Sequence, residues 1–342
     1  MDFVFLTLVV LLTLLFHFLP GWTRPDLFFA VTVEPSFPRT ETGREIVRKY
    51  RIVVWLLGAA AIATGAFAGF AHGIDIATVL ILIAATMPVL AWAHHKTLPW
   101  AATPSEVIEV DLAAPREDLP GGIAALVIPL AALAVLAVRV VLDPRSLPAR
   151  FPVIWGIGKS LLWTEGTPRQ ALLFLAGHAA LCSLMLLVAW GTLHWTRRVS
   201  TSGDRACAER SFRARCAEML LIGAYLMAGQ AFIALVDPSP LLMGLWTVIG
   251  AGAVATYVFV LARIGQGGSR LIAGSASGPP AGDRTPDRCW KWGLFYFNPA
   301  DPSIFVEKRF GIGYTLNFGN LRSWALTALL IGVFIVVRIL RP

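Results

Sequence analysis

Eight stretches of the chain are apolar on every side of a helix rather than along one face: 3–19, 52–71, 74–93, 123–142, 171–195, 219–236, 241–262 and 324–340. About 17 to 25 helical residues cross ~30 Å of hydrocarbon, so each stretch reads as a spanning helix. A different pattern occupies three of the connections. Residues 294–298, 303–308 and 314–318 are short aromatic and β-branched runs, parted by Asn298-Pro299-Ala300-Asp301-Pro302 and by Gly311-Ile312-Gly313. Turn residues between such runs mark strands. Residues 27–33 form another candidate, as do 107–112, where Ile108, Val110 and Leu112 alternate with Glu109 and Asp111. A lone hairpin is marginal in water while three or more strands with an apolar face hold together, so these loops are expected to pair into one small sheet.

The pattern predicts an all-α membrane fold, an eight-helix transmembrane bundle with a small strand-rich cytoplasmic element. Its parts are a seven-helix bundle over 1–264 with an outward loop at 143–170, a flexible linker over 265–289, the strand-rich motif over 290–320, and an eighth helix within 321–342. Composition agrees: 56% of residues are hydrophobic and 15% charged, against roughly 25% charged in soluble domains. That excludes a soluble enzyme on a single anchor. An outer-membrane barrel is excluded because it would show alternating segments of about ten residues.

The net charge of +8 would suggest nucleic acid in a soluble protein, but its distribution points to topology. Of the 29 Lys and Arg, 22 fall in the first, third, fifth and seventh loops, and 7 lie on the other side. Cytoplasmic loops collect such cations, so both termini are expected outside the cell and no nucleic-acid partner is expected. The first helix has no basic residue before it and no small residues at a cleavage point, so it reads as uncleaved. Trp22, Trp55, Trp92, Trp195 and Trp324 lie near proposed span ends, at the depth where indoles favour headgroups.

Short joints at His72-Gly73 and Asp237-Pro238-Ser239-Pro240 make the second and third, and the sixth and seventh, helices antiparallel neighbours. Gly65, Gly69 and Gly73 give the second helix a smooth face for close packing. Pro88 and Pro129 fall inside helices and each removes a backbone donor. The Gly265-Gln266-Gly267-Gly268-Ser269-Arg270 stretch opens the linker; it lacks the Lys-Ser/Thr of a phosphate-binding loop.

Candidate chemistry is sparse. Cys182, Cys207, Cys216 and Cys289 show no CxxC spacing, so neither a metal site nor a cofactor is expected. Ionisable groups inside a bilayer are functional candidates. His178 is the clearest, with Cys182 one turn away, and Gln230 is a candidate interhelical donor. In the C-terminal motif Lys308 and Arg309 beside Phe310, with Trp292, are candidates for an acidic peptide or phosphate, while Asn298, Asp301 and Asn317 suit turn backbones. The basic fifth loop, with Arg197, Arg198, Arg205, Arg210, Arg213 and Arg215, is a topology signal that can also meet anionic headgroups. No Ser/His/Asp set or paired intramembrane carboxylate is present, so catalysis is not expected.

The stretch Trp290-Lys291-Trp292-Gly293-Leu294-Phe295-Tyr296-Phe297-Asn298-Pro299, continuing through Asp301-Pro302, Phe305-Val306, Lys308-Arg309-Phe310-Gly311 and Asn317-Phe318-Gly319, resembles the C-terminal motif of an uncharacterised bacterial multi-pass membrane family. The outward loop, with Leu147-Pro148, Phe151-Pro152, Trp155 and Gly158, more distantly resembles that of the sporulation-delaying-protein immunity family; Ile154 and Gly156 stand where that family has a His and an Asn. The resemblance implies an integral protein of the bacterial inner membrane with a non-enzymatic sensing, signalling or immunity-type role. Membrane lipids and a peptide or protein are the partners it allows. A small-solute or ion transporter, its path lined by His178 and Gln230, is the alternative. Oligomeric state is not legible.

Overall fold

The computed structural model describes residues 3–24, 26–67, 72–103, 119, 121–154, 162–197, 203–271 and 285–340. The protein is mostly helical. Its helices are α1 (Phe3–Trp22), α2 (Glu41–Phe67), α3 (His72–Thr97), α4 (Gly122–Leu142), α5 (Pro168–His194), α6 (Gly203–Val236), α7 (Pro240–Ile264) and α8 (Leu321–Leu340). Seven are long and apolar enough to cross a membrane; the apolar part of α8, Leu321–Val336, is shorter.

Two helices begin well before their apolar stretch. α2 starts at Glu41, where Thr40 caps it by accepting from the Gly43 N–H at 3.1 Å. α6 starts at Gly203, so the end of the first loop, with Arg44, Arg48, Lys49 and Arg51, and most of the fifth loop are helix. Hydropathy detects only the part of a helix that is apolar all round, and the charged first turns of both helices lie outside it. Arg213 in α6 is buried, which removes it from the cations expected at headgroups.

The chain folds into two compact units: residues 1–112, 197–209 and 262–320 form the first, and 113–196, 210–261 and 321–342 the second. In the first unit α1 packs along α2. A Cβ on Gly58 would lie 2.5 Å from Thr13 Oγ1, and one on Gly65 would strike the Phe5 ring. The small-residue face of α2 is thus occupied by α1, and the helices gain dispersion contact by approaching closely. Gly69 lies outside the described residues. Above this seam is an aromatic core of Phe16, Phe28, Phe29, Phe37, Tyr50 and Phe310.

The second unit centres on α4, α5 and α6, with Leu133, Leu136, Phe151, Phe174, Leu175, Ala228 and Leu235 in its core. α8 packs on α5. The Asp237–Pro240 joint turns α6 into α7, and Trp246 Nε1 of α7 donates to the Leu226 carbonyl of α6 at 3.0 Å. The stretch 143–170, expected as a plain loop, contains the antiparallel pair β3 (Arg150–Ile154) and β4 (Leu162–Glu165), with Phe151 opposite Thr164. Trp155, Gly156 and Gly158 lie outside the described residues.

The single sheet expected from three loops is not formed among the described residues. Instead there are separate two-stranded ribbons: β1 (Leu27–Phe28) with β2 (Val31–Thr32), β5 (Trp290–Lys291) with β6 (Phe295–Tyr296), and β7 (Phe305–Glu307) with β8 (Tyr314–Leu316). A single bridge between Tyr296 and Asn317 ties β6 to the end of β8. The β1–β2 ribbon joins the others through buried aromatic rings rather than ladder hydrogen bonds. The candidate strand at 107–112 lies outside the described residues.

Candidate functional site

Within the first unit, the C-terminal end of α1, the start of α2, the C-terminal ends of α3 and α7, and the start of α6 gather around the 285–320 motif. The ties are specific. The His94 ring of α3 reaches the β1–β2 turn; Arg270, just past α7, donates to the Gly21 carbonyl at 2.7 Å; and Gly268 lies against Ala208 of α6. The result is a folded cap.

At its centre the β1–β2 turn takes a form that its residues disfavour. Phe29 and Ala30 have φ of 43° and 67°, the conformation of a two-residue turn that ordinarily carries Asn-Gly. A non-glycine residue held there costs about 1–3 kcal/mol, so the surroundings must over-determine it. Phe29 is 2% exposed; its ring stacks on Phe310 at 5.4 Å and meets Tyr50 edge-on at 5.1 Å. Both turn carbonyls are engaged. Phe29 O lies 2.8 Å from His94 Nδ1, which must carry the proton because a carbonyl only accepts. Ala30 O accepts from Arg309 Nη1 at 3.1 Å.

Arg309 has no accessible surface. Nη1 also pairs with Asp287 Oδ1. Nη2 donates to the Thr285 carbonyl and, at 3.0 Å, to Thr285 Oγ1. The guanidinium lies 5.2 Å from the centre of the Trp290 ring, whose Nε1 donates to the same Thr285 hydroxyl at 2.9 Å. A buried cation is tolerable when its charge is paired and its donors are satisfied; Arg309 meets both conditions. Its neighbour Lys308 is exposed and ties its backbone N–H to the Gly313 carbonyl at 3.0 Å. The two cations expected to act together on an anion are therefore separated: Arg309 is enclosed and cannot reach an external peptide or phosphate, while Lys308 lies at the surface.

Asn298, Asp301 and Asn317 hold backbone. Asn317 Oδ1 accepts from the N–H groups of Asn298 and Gly319, each at 3.0 Å, while its Nδ2 donates to the carbonyls of Asn298 and Asp301 at 3.0 and 2.9 Å. Asp301 accepts from the Ser303 N–H at 2.9 Å and from the Tyr296 hydroxyl at 3.0 Å, with Arg197 at 3.8 Å. Burial raises the Tyr296 phenol above its ordinary pKa, so it remains a donor. Trp292 stands apart from this lattice: it is 71% exposed, beside Phe295, on a turn with φ of 53°.

The stretch expected to open a flexible linker is folded. Gln266 is fully buried and its amide acts as a short strand, donating from Nε2 to the Gly313 carbonyl at 2.9 Å and accepting the Gly313 N–H at 2.8 Å. Gly267 has φ of 59°, and a Cβ there would lie 2.5 Å from Glu307 Oε2. Glycine density here serves close packing rather than freedom. Residues 272–284 of the tract lie outside the described residues.

Gln266 and Thr285 are members of the cap that sequence reasoning did not single out; Trp290 was read only as the start of the motif, and His94, expected at a span end to be satisfied by headgroup or water, meets the Phe29 carbonyl instead. Only Gln266 had a signal, as the lone large polar side chain in a glycine run. In the second unit, buried His178 points Nδ1 at the Phe174 carbonyl of its own helix at 3.0 Å and packs on the Phe174 ring. Cys182 Sγ donates to the Ala224 carbonyl at 3.4 Å. Gln230 is half-buried on α6. Among the described residues nothing joins His178 to Gln230, and no group of three or more His, Cys, Asp or Glu side chains could hold a metal ion.

Residues 299–324 match the model of a family of unknown function (DUF5808). The match runs from the Asn317-held turn through Lys308 and Arg309 to the first turn of α8. No curated protein and no solved structure matches the chain.

Proposed function

We propose that the chain is an integral protein of a bacterial inner membrane with eight spanning helices and both termini outside, and that its role is binding and reporting, in sensing, signalling or immunity, rather than chemistry. The observation that carries this reading is the cap. Five helix ends from the basic loops gather around the motif that holds one buried arginine against one strained turn, and an element so over-determined suits transmission of a small shift between helices and an exposed face. The convergence also supports a single side for those loops, as the cation count requires. Trp292 and Lys308 are the exposed side chains through which the cap would meet a peptide or protein. Immunity enters this reading as a candidate role from the resemblance of the motif and of the outward loop.

Transport needs several polar groups facing one path, and His178 and Gln230 supply none among the described residues.

Native Cys207, exposed at the start of α6, tests the topology. In intact cells a membrane-impermeant maleimide should leave Cys207 unlabelled and label an Ala149→Cys variant just before β3. Labelling of Cys207 from outside overturns the orientation and the cytoplasmic cap with it. A neighbouring gene for a small secreted toxin would select immunity; a regulator and kinase pair would select sensing.

A further inference from the structure

α2 carries a second basic feature, unlike the cap in every respect. Arg44, Arg48 and Arg51 recur at i, i+4 and i+7, and Trp55 and Ala59 continue the same face at i+11 and i+15. With a rise of 1.5 Å per residue, three guanidiniums occupy about 10 Å of helix axis and the apolar side chains the next ~12 Å. These residues, with Pro38, Val47, Ile52 and Leu56, line an open groove of about 890 Å³ whose three cations all lie toward the N-terminal end of α2 and whose continuation from Ile52 to Ala59 is apolar. Among the described residues no acidic side chain lines it; the nearby Glu45 is paired with Lys49 at 2.7 Å and also feels the charge of Arg48, its neighbour one turn on. Among the described residues Arg44 and Arg48 form no salt bridge, and Trp55 and Leu56 are exposed. The Trp55 ring is fixed, because its Nε1 donates to His17 Nδ1 at 3.1 Å, and Arg51 is steadied by the His17 carbonyl at 3.3 Å.

We infer that this groove is a binding site for one anionic phospholipid, the phosphodiester held by Arg44, Arg48 and Arg51 and an acyl chain laid along Trp55, Leu56 and Ala59. Charge complementarity selects the anion: three cations against the one nearby carboxylate of Glu45, itself bound to Lys49, leave an excess of positive charge at the water end of a spanning helix that attracts a phosphate, and a guanidinium matches its oxygens two at a time. The apolar continuation selects a lipid over a soluble phosphate, because only a lipid carries its charge and its hydrocarbon at this spacing. The inference rests on the reading of α2 as a spanning helix, and it is independent of orientation and of any signalling role.

The test is native mass spectrometry of the purified full chain in zwitterionic detergent, with phosphatidylglycerol, phosphatidylcholine or glycerol 3-phosphate added. Wild type should retain phosphatidylglycerol at least tenfold better than phosphatidylcholine. The R44Q/R48Q variant, which keeps Arg51 and its bond to His17, should lose on the order of twentyfold in phosphatidylglycerol retention, at roughly fivefold per cation. R44K/R48K keeps the charge and should retain most of the preference, so it reads the site even if the glutamine variant is damaged. Ala59→Trp leaves the cations in place and obstructs the acyl path, and should weaken the lipid while leaving glycerol 3-phosphate unchanged. Undiminished phosphatidylglycerol preference in R44Q/R48Q overturns the site. Equal displacement of the lipid by glycerol 3-phosphate overturns the lipid as its occupant. Either failure, with Cys207 still shielded in cells, removes the lipid site and leaves the proposed function standing.

Discussion

Arg309 and the Arg44–Arg48 pair enter the positive-inside count as equals, yet the fold uses them in opposite ways. Arg309 is enclosed, its charge met by Asp287 and its remaining donors by Thr285 and Ala30. Arg44 and Arg48 stand in solvent on the α2 groove. The lesson is that a loop cation enters the charge count in either case, but only burial tells whether it is also structure. A buried paired charge is expensive to break and contributes little that an external ligand can use. An exposed one is cheap to remove and remains available.

Mutations can break this contrast. The largest effect is expected from Arg309→Ala, which leaves Asp287, the Thr285 groups and the Ala30 carbonyl without their partner: a loss of about 3–5 kcal/mol, seen as proteolysis of the cap in membranes where wild type resists. Arg309→Lys should not restore it, since an ammonium puts its three donors on a single nitrogen and cannot reproduce the two-nitrogen fork that reaches Ala30 and Asp287 with Nη1 and Thr285 with Nη2. If R309A is as resistant as wild type, the arginine is not the hub. Next, Asn317→Ala removes two donors and an acceptor that serve four backbone groups, and should cost about 2–3 kcal/mol, read by the same proteolysis and by faster amide exchange at Asn298 and Gly319.

A smaller change of opposite sign should follow Ala30→Gly. Glycine takes positive φ without the Cβ penalty, so the variant should gain about 0.5–1 kcal/mol, read as a higher midpoint of thermal unfolding. Loss of stability there would mean that the Ala30 methyl, which lies against Gly293, contributes more by packing than the turn loses by strain. The smallest effect belongs to R44Q/R48Q in lipid-free detergent. Exposed cations away from buried partners change stability by less than about 0.5 kcal/mol, so this variant should unfold with wild type while losing its lipid preference. A destabilisation comparable to that of R309A would erase the distinction between the two sets.

The helices were legible because a run of about twenty apolar residues needs no partner to declare itself, and seven of the eight expected stretches emerge as helices of spanning length. The strands at 295–296, 305–307 and 314–316 were legible from turn residues on either side, although each is shorter than the run that predicted it. Their pairing was not. Nothing local in Phe28-Phe29-Ala30-Val31 announces a turn with two positive φ values, since the sequence lacks the glycine or asparagine such turns favour; the conformation is imposed by Phe310, Tyr50, His94 and Arg309. Nor could composition show that Gly265 to Gly268 is a packed corner. The glycines looked permissive, and their real use is proximity.

Sequence alone determined that the chain is mostly apolar helices of membrane-spanning length, because hydropathy is a sum over single residues that needs no partner in space. Only the tertiary structure decided which arginine is enclosed and which is displayed, which loop is linker and which is core, and where α1 covers the glycines of α2. Those outcomes depend on what lies opposite each side chain in space, and no single position in the chain carries that information.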